Sequence, residues 1–549
     1  MVGVMFDFDN MDLKNQEKIL NLILTCSVGI IILFLLFPLL QDGIIYGDDF
    51  PYHISRIEGL ANAMKEKNCF SGIRTYFLNG YGYGTGFFYC ETFIIIPAFL
   101  RFLGCSLENS YKVLQILLVL SITATSLIGF REISKNKIAT VVGTILYVGS
   151  HYFMLNLYAR SAVGEATAMI FLPLVIAGLF NVIRDGFSKY WLLVIGLAGV
   201  CLSHTISTVF CIVVYVIVLG INIKKIVINN VLIKLIVAGI MTLGITAFYW
   251  MPMLEHLFSQ EYQAHHPWVN ISEQSISLIG ALGNARYSVG YLLIILVITV
   301  TLLADRDCFK RNLVFVICPA IGLIIISLQS FWECFGDLLG FMQFPWRLLS
   351  LITMSFVIYI VNILSELLKE EISKKKIIVF MIALLLFYLE TNYEYYAERV
   401  DDVVRIEDTQ ESIELNMLGG GREWLPIEVN TGKLMYEENV VDEGNGIYRK
   451  KEALSFEVKI NEKTEYLEAP FIYYKGYEAY NLTQGKKLRV TKSANGLVNV
   501  DLDNVMVGDI LVVKYKDTMI TWAARIWSIF TVIVYVCIIK KKKETNIVK

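Results

Sequence analysis

Directly after its first long apolar run the chain reads Gly47-Asp48-Asp49-Phe50-Pro51-Tyr52-His53-Ile54-Ser55-Arg56. Neighbouring carboxylates followed by a histidine and an arginine are residue types that move protons and hold anions. A carboxylate can take a proton from a hydroxyl, and a nearby cation keeps it ionised. One aspartate would suffice to cap a helix, a role worth about 1 kcal/mol, so the pair and its basic neighbours point to chemistry. Pro51 suits a first helical turn. Beyond it Ile54, Ile57, Leu60, Ala61 and Met64 recur at helical spacing. This predicts an amphipathic helix on the membrane surface, with His53 and Arg56 sharing one face.

Further groups could join that chemistry. Asn79-Gly-Tyr-Gly-Tyr-Gly-Thr-Gly-Phe-Phe-Tyr89 alternates glycine with aromatics. Such a run suits close backbone approach and stacking on sugar rings or prenyl chains, or else a structural loop. It lacks the Gly-Lys-Ser/Thr ending of a P-loop, so it gives no support for nucleotide phosphate binding. Arg160 and Glu165 open another apolar helix, as a structural ion pair or as part of a ligand site. His204 divides a long apolar run, and Arg347 follows Phe344-Pro345-Trp346 at a helix start. Arginine suits phosphate through bidentate bonds, the alternative for Arg347 being a reach to lipid headgroups.

Membrane helices must position these residues. Of 549 residues 56% are hydrophobic and only 18% charged, and the apolar runs have the length of about 17–25 that a bilayer crossing needs. The first run (19–40) is too long for a signal-peptide core and reads as a retained span. Basic clusters lie at Lys14/Lys18, Arg131–Lys137, Arg184–Lys189, Lys224/Lys225, Arg306–Arg311, Lys369–Lys376 and Lys540–Lys543. Placing all of them in the cytoplasm predicts about twelve spans, near 19–40, 111–130, 138–153, 164–183, 190–203, 205–222, 231–252, 282–303, 312–329, 346–366, 376–391 and 519–539. Phe93–Leu103 is then an interfacial or re-entrant helix, and Ser203-His204-Thr205 a tight turn between two short helices. All six histidines (His53, His151, His204, His256, His265, His266) fall at the outer side, as do Asp48, Asp49, Arg160, Glu165, Glu255 and Arg347.

Three parts follow: a polytopic domain over 1–392 with a large first outer loop at 41–92, an outer β-rich domain over 393–518, and a final span with a basic tail over 519–549. In the β-rich part Ser455–Ile460, Lys487–Val490 and Asp509–Tyr515 read as strands, with a hairpin at Ala494-Asn495-Gly496. A β-sandwich is expected. Its tyrosines (Tyr466, Tyr473, Tyr474, Tyr477, Tyr480) are either strand-face residues or a sugar-stacking surface. The ten cysteines show no metal-ligand spacing, which argues against zinc. Cys69 and Cys90 share a loop and could pair, though two free thiols are expected more often. No basic domain or aromatic-interleaved basic stripe marks a nucleic-acid binder.

The residues quoted above, with Ser203-His204-x-x-Ser207, Gln343-Phe-Pro-Trp-Arg347, Glu423-Trp-Leu-Pro426 and Pro470-Phe-Ile-Tyr-Tyr-Lys-Gly476, resemble one group of bacterial polytopic proteins. That group is labelled as membrane proteins related to 6-pyruvoyl-tetrahydropterin synthase and belongs to the GT-C glycosyltransferase superfamily. The pterin label implies nothing for this chain, which has no three-histidine zinc motif. The resemblance implies an inverting transferase in the plasma membrane, facing outward. Its donor would be a polyprenyl-phosphate sugar and its acceptor a cell-envelope polymer or glycolipid. It makes Asp48 or Asp49 the catalytic base, with His53, Arg56, Tyr89, Arg160, Glu165, His204 and Arg347 binding substrate or lipid phosphate. A divalent metal (Mg²⁺ or Mn²⁺) stays open, since adjacent aspartates alone are a weak ligand set. The rival readings are a transporter or flippase of lipid-linked sugars and a non-catalytic envelope assembly factor.

Overall fold

The computed structural model describes residues 13–184, 189–228, 231–266, 269–369, 384–385, 403–404, 422–436 and 449–547. Its helices include, in chain order, α1 (Leu13–Leu36), α2 (Phe50–Lys65), α3 (Ile95–Phe102), α4 (Leu107–Ser134), α5 (Lys137–Val148), α6 (Val163–Arg184), α7 (Tyr190–Cys201), α8 (Thr205–Ile221), α9 (Leu232–Leu257), α10 (Tyr291–Leu303), α11 (Val314–Ser327), α12 (Leu349–Leu367) and α13 (Met519–Ile547). Shorter turns are named by their residues.

Among the described residues six helices are long and apolar enough to cross a membrane: those of α1, α4, α6, α9, α12 and α13. The number rises to eight if two bent pairs each count once. One pair joins α5 to His151–Ala159 across a 42° bend, and the other joins Arg306–Asn312 to α11 across 53°. The expected spans at 190–203 and 205–222 are two helices of 12 and 17 residues, divided at His204 as predicted. The expected span at 282–303 is corrected: its helix begins only at Tyr291, after Gly290 at φ 87°. The twelve-span count is therefore not reached, and the run at 376–391 lies almost wholly outside the described residues.

The chain divides into two units. One holds residues 1–50, 112–239 and 268–406, the other 51–111, 240–267 and 407–549. In the first, α6 and α7 pack through glycine. A Cβ on Gly196 would lie 2.6 Å from the Val175 nitrogen, and one on Gly178 would lie 2.8 Å from that of Leu193, so small residues let these backbones touch. Strand β1 (Ile44–Ile45) leads to the aspartates and pairs antiparallel with β2 (Val403–Val404).

In the second unit, strands β3 (Arg449–Glu452), β4 (Ser455–Lys459), β5 (Tyr466–Ile472), β6 (Tyr477–Asn481), β7 (Lys486–Leu488), β8 (Val490–Lys492), β9 (Leu497–Asp501) and β10 (Ile510–Tyr515) form two antiparallel sheets. Their orders are β3-β4-β10-β6-β7 and β5-β9-β8. The hairpin at Ala494–Gly496 joins β8 to β9 with Lys492 opposite Val498, as the sequence predicts. Lys487–Val490 is not one strand but the end of β7 and the start of β8, which belong to different sheets.

Helix α2 begins at Phe50 with Pro51 in its first turn. It is not a membrane-surface helix. Ile54, Ile57, Leu60 and Ala61 are buried, but so are His53, Ser55, Arg56 and Glu58 around the rest of its circumference. Polar groups on that side find partners inside the protein: Arg101 donates to Glu58 at 2.6 Å, and Arg56 Nη2 donates to the carbonyls of Tyr89 and Cys90 at 3.2 and 2.9 Å, while its Nε is buried without a hydrogen bond among the described residues.

The glycine-aromatic run is likewise packed rather than presented. Tyr81, Tyr83, Phe87 and Phe88 are buried. A Cβ on Gly72 would strike the Phe87 ring at 2.2 Å, and one on Gly84 would strike Tyr474 at 2.5 Å. Phe88 stacks on Trp424 with ring centroids 4.4 Å apart, and Tyr474 donates its hydroxyl to the Trp424 carbonyl at 3.0 Å. Cys69 and Cys90 are free thiols.

Candidate active site

The first unit gathers most of the candidate residues. After β1 the backbone crosses a π-helical turn, Leu155–Ala159, that ends the α5 arm. The Asp48 amide donates to the Ala159 carbonyl at 3.2 Å, and the Asp49 amide to the Arg160 carbonyl at 2.7 Å. Gly47 makes this possible, because a Cβ there would meet the Tyr158 carbonyl at 2.6 Å and the Ser161 nitrogen at 2.7 Å. Ser161 itself takes φ 52°. A π-turn inserts one residue into a helix, and such turns concentrate at functional sites. Here it places Arg160 under the aspartates.

Arg160 is the centre of a buried ion network. Its Nη1 donates to Glu165 Oε2 at 2.8 Å and also to Asn156 Oδ1. Its Nη2 lies 3.8 Å from Asp49 Oδ2. The guanidinium also stands over the Trp346 ring at 4.3 Å, in cation–π contact. Glu165 is almost fully buried. It accepts from the Tyr152 hydroxyl at one oxygen and lies 3.9 Å from Arg347 Nε at the other. Arg347 Nη1 donates to the Met342 carbonyl at 2.8 Å and to Gln343 Oε1 at 3.1 Å. Trp346 is flanked by Tyr287 and Phe344, at centroid separations of 4.1 and 4.7 Å.

His204 caps α8. Its Nδ1 accepts from the Ser207 amide at 3.3 Å, which leaves the proton on Nε2. It lies within electrostatic reach of Arg347, Glu165 and Arg160.

The two aspartates differ. Arg286 Nη2 donates to both Asp48 oxygens, at 2.9 and 2.8 Å, and to the Ala159 carbonyl at 2.9 Å. Asp49 has only the longer approach of Arg160. Its side chain is 46% accessible, but the protein around it displaces enough water to raise its pKa above the usual aspartate value. Arg160 and Arg347 oppose that rise, while Asp48 and Glu165 add to it. The site thus holds one neutralised carboxylate beside one reachable carboxylate whose proton affinity is increased. Three carboxylates (Asp48, Asp49, Glu165) face three guanidiniums (Arg160, Arg286, Arg347). Among the described residues no three His, Cys, Asp or Glu side chains gather as metal ligands would. The positive charge opposite both aspartates comes from arginine.

His53, Arg56 and Tyr89 form a cluster of their own in the second unit. Arg56 Nη1 lies 3.3 Å from His53 Nδ1, and its guanidinium lies 4.5 Å from the Tyr89 ring centre. His53 and Arg56 are buried, and Arg56 holds two main-chain carbonyls, which makes it an organiser of the 89–90 turn. The sequence reading missed Arg286, Tyr152, Asn156 and Tyr287. Arg286 carried a signal: it was the one charged residue inside the supposed span 282–303.

No family model matches this chain, and no solved structure matches it. An uncharacterized protein of Lactococcus lactis subsp. cremoris (strain MG1363) is 26% identical over 281 residues, covering 48% of this chain. The match spans 44% of that protein's own length.

Proposed function

We propose that the chain is an inverting glycosyltransferase of GT-C type. It acts at the outer face of a bacterial plasma membrane and moves a sugar from a polyprenyl phosphate to a cell-envelope polymer or glycolipid. In this reading the short helices α7, α8 and α10 are crossings too, beside the eight counted above. The two sheets pack as an outer β-sandwich. The observation that carries the proposal is the asymmetric aspartate pair, with Asp48 clamped by Arg286 and Asp49 reachable over a buried Arg160–Glu165–Arg347 network.

Asp49 is the base. It takes the proton of an acceptor hydroxyl, and the oxygen attacks the anomeric carbon. The bond from that carbon to the phosphate oxygen breaks, and its electron pair leaves with the polyprenyl phosphate. A raised pKa suits this task, since a general base works best with proton affinity near the working pH. Arg160 orients the carboxylate. Arg286 and Arg347 lie within one unit's reach of it and would meet the leaving phosphate with charge-assisted bonds.

The test compares envelope polymers and glycolipids by mass spectrometry in a deletion strain carrying wild type, Asp48→Asn or Asp49→Asn. Asp49→Asn is expected to lose transfer by about 10²–10⁴-fold, the usual worth of a positioned base. Asp48→Asn should retain part of it. Full glycosylation by both variants and by the double variant would sink the assignment. Movement of labelled lipid into sealed vesicles without transfer would favour a flippase.

A further inference from the structure

Within the second unit, the last half of α9 and the first half of α13 form an antiparallel pair. Gly244 admits Thr531, whose hydroxyl would lie 2.4 Å from an added Cβ. Ser528 donates to the Gly244 carbonyl at 2.9 Å and accepts from the Phe248 amide at 2.9 Å. Further along, Thr518 donates to Glu255. Both helices belong to segments long and apolar enough to cross a membrane, and Ile526, Ile529, Phe530 and Ile533 of α13 stand exposed. The end shared by the α9 C-terminus and the α13 N-terminus therefore lies where the pair leaves the apolar layer.

That end carries large apolar side chains that stand exposed. Phe70 is 81% exposed and Phe258 82%, beside exposed Met519 and Trp522. Phe70 is fixed at this level, because Arg525 donates to its carbonyl at 2.7 Å while pairing with Asp517 at 2.6 Å and facing the Trp522 ring at 5.5 Å. Tryptophan and arginine at a helix end are typical of the membrane–water interface. A Phe ring this bare is unfavourable against water but favourable among headgroups and upper acyl chains.

We propose that Phe70 and Phe258 are interfacial anchors, inserted into the lipid headgroup region beside Trp522, so that the 66–72 loop rests on the bilayer. The occupant is phospholipid, because the patch continues the apolar surface of a membrane-crossing helix. This rests on the membrane reading alone and is independent of the transferase proposal.

The test uses the full chain in nanodiscs of phosphatidylethanolamine and phosphatidylglycerol. A trifluoromethyl-phenylalanine is introduced by codon suppression at position 70, 258 or 466, the last replacing exposed Tyr466 on β5. Fluorine relaxation is read with dissolved oxygen, which partitions into lipid, and with a water-soluble nickel chelate. Positions 70 and 258 should relax several-fold more with oxygen than with nickel, and position 466 the reverse. Nickel-dominated relaxation at 70 and 258 would overturn the proposal. So would protection from both reagents, which would mean that protein covers the patch.

Discussion

At the scale of single residues, Asp48 and Asp49 are chemically distinct despite being neighbours. Burial raises the Asp49 pKa more than Arg160 and Arg347 lower it. A base must be deprotonated to act, so transfer should fall as pH drops through this raised pKa, with an acid limb above the ordinary aspartate range. Arg160→Gln removes an attraction that favours the ionised form, so the limb should move to higher pH. A pH–rate profile in nanodiscs, with the donor identified by mass spectrometry, checks both shifts. Stability has the opposite sign. A carboxyl whose folded pKa exceeds its unfolded pKa contributes stability below the unfolded value, lost as pH rises through the folded one. Asp49→Asn should therefore match or exceed the wild-type melting temperature at neutral pH while losing transfer, a result that misfolding could not produce. Arg286→Gln leaves Asp49 in place and should lower kcat/KM by about 10- to 100-fold, the scale of a charge-assisted hydrogen bond of about 1.5–3 kcal/mol.

At the scale of elements, the π-turn at Leu155–Ala159 and the loop of Gly47 are one device. Gly47→Ala would push the loop off the Tyr158 carbonyl and Ser161 nitrogen, at about 1–3 kcal/mol for overpacking. It should lower both melting temperature and transfer, read by thermal unfolding and the same assay. Glu165→Gln leaves two buried guanidiniums short of their counter-charge, a loss of about 3–5 kcal/mol. Its main effect should be on stability. The sequence made the pairing of Arg160 with Glu165, the break at His204 and the start of α2 at Pro51 legible, because charge inside an apolar run and proline at a helix start have few explanations. It could not show Arg286 on Asp48, since 282–303 reads as one span, whereas the helix begins only at Tyr291 after Gly290. Nor could it show that α2 is buried on its polar side. Helical periodicity marks a face that needs covering but not whether Arg56 and Glu58 find partners on the other.

At the scale of the whole molecule, the two units are each assembled from distant stretches of chain, which no local pattern announces. Motifs that suggested ligand contact from residue type turn out to be joints. Tyr83, Phe88, Tyr262 and Tyr474 surround Glu423-Trp-Leu-Pro426, with the Gln263 amide donating to the Leu425 carbonyl at 2.9 Å. Aromatic residues beside glycine suit sugar stacking and tight packing alike, and only burial separates the two. Phe88→Ala distinguishes them. Removing a ring 2% exposed and stacked on Trp424 should cost about 3–5 kcal/mol, seen as earlier thermal unfolding. Phe88→Leu restores most of the buried volume without an aromatic face and should recover both stability and transfer. A stacking role would instead leave Phe88→Leu folded but with a raised KM at unchanged kcat. The acid limb set by Asp49 should stay at the same pH in the leucine variant, because the residues that shift that carboxylate all belong to the other unit.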